Sequence, residues 1–210
     1  EINYRDWSSD VCSSDLENPV LGFMPFTLNK DNYMEIRTLK DVSANLKLIG
    51  EQNASLWIHS TETDGKMDEL SVEISQINLE KVSHFAPIPV MGGLANVALR
   101  YVPMEKSFMV AIDASVDDFV YQGGHMGELL LNGVYLPLDN DRHQFDAHFF
   151  HNQAEIAMLS ALYQPSKKHR VNGTMTLSQL PLKMLNPFLG ETGHMQGNYQ
   201  IGRASCRERV

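Results

Sequence analysis

Apolar and polar residues alternate with a period of two along most of this chain. Val42, Ala44, Leu46 and Leu48 interleave with Ser43, Asn45 and Lys47, and Leu70, Val72 and Ile74 with Ser71, Glu73 and Ser75. Phe108, Val110, Ile112, Ala114 and Val116 share one side against Asp113 and Ser115. Val171, Gly173, Met175 and Leu177 alternate in the same way with Asn172, Thr174 and Thr176. Successive side chains on a strand point to opposite faces, so each run predicts a strand with one oily and one polar side. Turn residues punctuate the runs at Thr63-Asp64-Gly65, Gln122-Gly123-Gly124, Asp139-Asn140-Asp141 and Pro165-Ser166. This spacing predicts about ten strands in an antiparallel meander, not βαβ units. The expected fold is mostly β: an antiparallel meander forming an open, curved groove or half-barrel of repeating β modules. One or two short helices are expected at the module junctions.

Two segments break the alternation, and they resemble each other. Ile74-Ser75-Gln76-Ile77-Asn78-Leu79 aligns with Leu177-Ser178-Gln179-Leu180-Pro181-Leu182, and the likeness runs on to Phe85 and Phe188. Met91-Gly92-Gly93 and Met195-Gln196-Gly197 follow at nearly the same offset. Each copy predicts a strand end, a short helix, a turn and a fresh strand, with Asn78 capping the first helix and Pro181 in the first turn of the second. A repeat of this kind has one oily face per unit and buries it by stacking on its neighbours.

The two ends read differently. Gly202-Arg203-Ala204-Ser205-Cys206-Arg207-Glu208-Arg209-Val210 is what a common sequencing-library adapter encodes in one frame, and Asp6 through Leu16 is what its partner adapter encodes. Such segments are excluded from fold reasoning. The expected division is therefore a non-native head at 1–16, a β module at 17–90 with a junction helix near 78–86, a second module at 91–200 ending in a junction helix near 181–188, and a non-native tail at 201–210. Both ends are expected to make few buried contacts, unless an exposed sheet edge recruits them.

This exclusion changes the composition. Lysine plus arginine falls from 17 to 13 and aspartate plus glutamate from 26 to 21, which leaves a net charge of −8. Cys12 and Cys206 both lie in the excluded ends, so neither a disulfide nor a thiolate metal site is expected. An acidic balance with one short basic cluster, Lys167-Lys168-His169-Arg170 beside a turn, argues against nucleic acid, which needs clustered cations to neutralise phosphate. Helical geometry would bring His148 and His151 together as metal ligands, but strand alternation sends them to opposite faces. Asp113 falls on a polar face and Asp117-Asp118 where a turn is plausible, with no acid–base partner in the pattern. No nucleophile elbow, phosphate loop or dinucleotide fingerprint occurs. The expectation is a non-enzymatic protein without cofactor or metal.

One junction carries a family likeness. Leu180-Pro181-Leu182-Lys183-Met184-Leu185-Asn186-Pro187-Phe188-Leu189, followed by Met195-Gln196-Gly197, resembles the junctions between β modules in the AsmA-like TamB family, the translocation and assembly module proteins. Gly22-Phe23-Met24-Pro25-Phe26-Thr27-Leu28 and Gly133-Val134-Tyr135-Leu136-Pro137-Leu138 are similar to segments of its Bacteroidetes members. The chain departs from the pattern where Leu189-Gly190 stands in place of the usual Ile-Pro. The resemblance implies a periplasmic protein anchored in the inner membrane by a segment outside this sequence. Its β modules would stack into an apolar groove that passes phospholipid between the two membranes or serves outer-membrane protein assembly. Phospholipid acyl chains are the implied partner, with an outer-membrane assembly protein possible for the full-length chain. The groove lining is expected from Leu70, Val72, Ile74, Val97, Leu99, Tyr101, Phe108, Val110, Ile112 and Val116. The alternative is a closed β-sandwich scaffold or adhesion module with a dry core and no lipid role.

Overall fold

In a computed structural model, residues 19–21, 24–38, 41–83, 89–167, 170–182, 198–199 and 204–207 are described. Short strands β1 (Val20–Leu21), β2 (Met24–Pro25) and β3 (Thr27–Leu28) lead into β4 (Tyr33–Thr38), β5 (Asp41–Ile49), β6 (Ser55–Thr63) and β7 (Lys66–Asn78). After α1 (Leu79–Ser83) come β8 (Met91–Pro103), β9 (Phe108–Tyr121), β10 (Gly124–Leu138), β11 (Arg142–His151), β12 (Ala154–Tyr163) and β13 (Val171–Leu177), then β14 (Leu180–Pro181), β15 (Asn198–Tyr199) and β16 (Ala204–Arg207). Twelve strands form one sheet in the order β16-β13-β12-β11-β10-β9-β8-β7-β6-β5-β3, with β4 also on β5. All its pairings are antiparallel, and from β5 to β13 sequence neighbours are spatial neighbours. The fold is therefore the mostly-β antiparallel meander expected from the alternation: a single open, unclosed sheet with few helices, consistent with a groove.

The expected turns fall at the hairpin connections. Asp64-Gly65 joins β6 to β7, Gln122-Gly123 joins β9 to β10, and Asp139–Asp141 joins β10 to β11. Asp64, Gln122, Asn140 and Asp141 take positive φ, which tight connections between twisted strands require. Asn152-Gln153, with φ of 47° and 68°, makes a further two-residue turn between β11 and β12.

Asp117 and Asp118 do not form a turn. They lie inside β9, exposed, with Asp118 at φ 49° opposite the irregular stretch of β8 around Gly93. A bulge absorbs the extra residue here while the strand runs on, so local polarity misread as a turn is a bend in a long strand.

The two junction segments share their backbone geometry. Gln76 and Gln179 take φ of 56° and 51° at matching places in the two copies. Beyond them, Ile77 pairs with Ala95 and Asn78 with Leu94 in the first copy, while Leu180 pairs with Tyr199 and Pro181 with Asn198 in the second. Asn78 caps α1, its Oδ1 accepting from the Glu80 and Lys81 amides at 2.9 and 3.2 Å. The helix ends at Ser83; Pro181, expected in the first turn of a second helix, lies instead in β14, its backbone paired with Asn198, and the expected stretches 84–86 and 183–188 lie outside the described residues.

The head, 1–16, also lies outside the described residues. In the tail, Ala204–Arg207 pair with the β13 edge from Met175 to Asn172. An edge strand offers unpaired amides and carbonyls to any backbone, so recruitment makes little demand on side-chain identity.

Candidate functional site

Register decides which side chains share a face. Leu70 lies opposite Tyr101, Val72 opposite Leu99, and Ile74 opposite Val97 on β7 and β8. Tyr101 in turn lies opposite Val110, Leu99 opposite Ile112, Pro103 opposite Phe108 and Ala95 opposite Val116. Directly opposed residues project to the same side. All ten residues expected to line a groove thus stand on one face of three adjacent strands.

That face extends well beyond those three strands. Leu129, Leu131, Gly133 and Tyr135 continue it on β10, then Phe149, Ala147 and Phe145 on β11. Leu159 and Ala161 carry it over β12 to Met175 and Gly173 on β13. On the other side, Leu56 and Ile58 of β6 pass it to Leu48 and Leu46 of β5. The β10 members were hidden from the alternation. Leu129-Leu130-Leu131 is a continuous apolar run, and Val134, 41 % exposed, belongs to the opposite face.

One edge of the apolar face is a band of rings. Tyr101, Phe108, Tyr135 and Phe145 follow one another at centroid distances of 5.3, 5.9 and 4.8 Å. His143 stacks on Tyr135 at 5.9 Å and reaches Tyr163 at 5.8 Å, crossing onto β12. The Tyr135 hydroxyl and His143 Nδ1 share a hydrogen bond of 2.8 Å.

None of the ten lining residues is fully buried; all are half-buried. Neighbours on the same face cover their flanks, but substantial contacts among the described elements run between sheet neighbours, with α1 against β8 the main addition. In a closed sandwich a second sheet about 10 Å away would bury these side chains. Buried apolar residues gather into two small clusters among the described residues. Val42, Ala44 and Met67 gather with Ile58, Leu70 and Tyr101, while Met126 and Ile156 gather with Phe119, Tyr121, Leu129, Phe149 and Leu180.

The reverse face mixes polar groups that pair among themselves with apolar residues such as Leu130, Val134, Leu136, Phe150 and Met158. Asp113 accepts from Arg100 Nη2 at 2.8 Å and from Asn132 Nδ2 at 2.6 Å. Glu73 meets His59 at 3.2 Å, and Asp146 accepts from Ser160 at 2.6 Å. A shallow depression over Asn96, Ala98, Asp113 and Ser115 lies on this side. His148 is also here, 2.6 Å from the Glu155 carboxylate. His151 belongs to the apolar side, buried, with Nε2 2.7 Å from the Met126 carbonyl oxygen, to which it donates. The pair therefore diverges, as strand geometry requires.

Fold and face together define a class: an open antiparallel single-sheet meander with one apolar side that no other described element covers. No protein-family model matches the sequence, no curated protein matches it, and no solved structure matches the fold.

Proposed function

We propose that the apolar face is a track for phospholipid acyl chains. On this reading the protein is a non-catalytic periplasmic element serving phospholipid passage between inner and outer membranes or outer-membrane protein assembly, as its resemblance to the TamB family implies. The observation that carries the reading is the apolar face running from β5 to β13, whose ten expected lining residues are all half-buried, with no second sheet over it among the described residues. Soluble proteins rarely leave so large an apolar surface without a ligand, membrane or partner for it. Each methylene shielded contributes about 0.8 kcal/mol, so a dozen or so offset on the order of 10 kcal/mol of desorption from a bilayer.

The test is lipid mass spectrometry of the purified protein, beside the variants Val110→Asp and Ile112→Asp. Wild type is expected to carry phospholipid and both variants to lose most of it, because a carboxylate at the centre of the track must be desolvated by an acyl chain. Lipid-free wild type in a stable fold would favour the closed scaffold. Unchanged lipid in both variants would remove these residues from the lining.

A further inference from the structure

The two edges of the open sheet are built differently. At one edge β4 and the two-residue β3 lie side by side on β5. β4 exposes Tyr33, Met34 and Ile36, but it also carries Glu35 and Arg37, and its register shifts between Ile36 and Thr38. Arg37 pairs with Glu35 at 3.1 Å and with Asp41 at 3.6 Å. Charges, irregular register and very short strands are what keep an edge from pairing with another chain. At the other edge β13 runs from Val171 to Leu177 without a charge or a proline, with Arg170 just before it. Val171 and Met175, both on its apolar side, are exposed.

This second edge already holds a strand. Asn172 to Met175 pair with Arg207 to Ala204, and Thr176 and Leu177 have no strand outside them among the described residues. The junction before the edge repeats the one before β8. Leu180↔Tyr199 and Pro181↔Asn198 stand where Ile77↔Ala95 and Asn78↔Leu94 stand in the first copy. There β8 goes on, past the Gln76 bulge, to lay Val97, Leu99 and Tyr101 opposite Ile74, Val72 and Leu70. The matching positions on β13 are Leu177, Met175 and Gly173, which belong to the same apolar face. β16 pairs with them one residue away from that register.

We propose that the outer edge of β13 is a strand-acceptor site for a second polypeptide. The partner is an extended segment, apolar at every second residue, that adds antiparallel in the register β8 holds on β7. This goes beyond the acyl-track reading and does not rest on it. In strand addition the main chain supplies affinity and the alternate side chains supply selectivity. A strand one residue out of register meets the first requirement and not the second, so β16 is a displaceable holder of the seat.

The probe is a synthetic peptide copying Leu94–Val102, with a benzophenone at the position of Leu99. It is offered to the full chain and to a variant combining Ala204→Pro and Ser205→Pro. Alternate amides of an edge strand face its neighbour, so two adjacent prolines remove at least one ladder donor from β16. The peptide is expected to bind the variant at least about fivefold more tightly than wild type, the net contribution of one hydrogen bond. Cross-links are expected at Met175. A peptide of the same composition with its alternation broken is expected to bind at least about fivefold more weakly, for want of apolar cross-strand pairs. No saturable binding to the variant, or cross-links confined to β4 or to other strands, overturns the acceptor site. Equal binding of the two peptides overturns the stated partner chemistry. Dimerisation of the variant through β13 in preference to the peptide assigns the edge to a second copy and overturns the proposal. Phospholipid measured in the same samples reports on the acyl track separately.

Discussion

Gly133 sits mid-strand on the apolar face, where glycine is costly, and its neighbour explains it. A Cβ built there would lie 2.9 Å from Ile112 Cγ2, closer than real Cβ contacts come. Ile112 therefore rests on Gly133, its directly opposed partner. Gly133→Ala has two opposing effects. Replacing a mid-strand glycine favours folding by about 0.5–1 kcal/mol through the unfolded chain. Displacing a β-branched side chain from its rotamer costs about 0.5–1.5 kcal/mol. The two nearly cancel, so the single variant is expected within about 1 kcal/mol of wild type. Ile112→Ala removes the methyl that collides, and in that background Gly133→Ala retains its gain without the cost. The double-mutant cycle should show favourable coupling of about 1 kcal/mol. Urea unfolding of the four proteins with an unchanged m-value measures it. Coupling below about 0.3 kcal/mol, within the additivity seen for independent sites, would refute the contact and with it the packing of the track's centre.

Three further outcomes follow from other contacts. Asn78→Ala removes the cap on α1 and should cost about 1 kcal/mol in urea unfolding, while Asn78→Asp should cost little. Gln76→Gly should hold or raise the melting temperature, since glycine enters the left-handed region freely, whereas Gln76→Val should lower stability by about 1–2 kcal/mol. Glu35 receives both Nε and Nη2 of Arg37 at 3.1 Å, and this pairing holds its carboxyl below the ordinary glutamate range. A lowered folded value means its contribution is present above the unfolded pKa of about 4.3 and is lost as pH falls through the folded one. Carboxyl NMR should place the Glu35 titration below those of exposed glutamates, and Arg37→Gln should return it to theirs.

Alternation revealed the faces but not the partners of the strands. Leu70, Val110 and Ile112 were assignable to an oily side because period two is a local property of the backbone. Their alignment across β7, β8 and β9 depends on register, and bulges at Gln76 and Gly93 shift that register in ways no single strand announces. Gly127, at φ 82° against the Asn152 side chain, does the same on β10. The Tyr135–His143–Tyr163 band was hidden for a related reason: its members come from three strands and meet only once β10, β11 and β12 are paired. The repeat, by contrast, was visible as sequence because both copies need the same unusual conformation at Gln76 and Gln179.

The pairing of Ala204–Arg207 with β13 bears on how such a sheet is built. Extension by one strand needs only main-chain donors and acceptors at the edge. Continuing the apolar face also needs the correct register, since a slip of one residue sends every side chain to the other side. In the first junction the pairing shifts by one residue across the Gln76 bulge, between Ile74↔Val97 and Ile77↔Ala95. In the second no such shift separates Met175↔Ala204 from Leu180↔Tyr199, although Gln179 repeats the conformation of Gln76. The tail therefore occupies the edge one residue away from the register that the first junction sets. Backbone pairing alone satisfies the edge here, in a register other than the one the first junction sets. Strand addition and face continuity are separate requirements, and a track for an apolar ligand depends on the second.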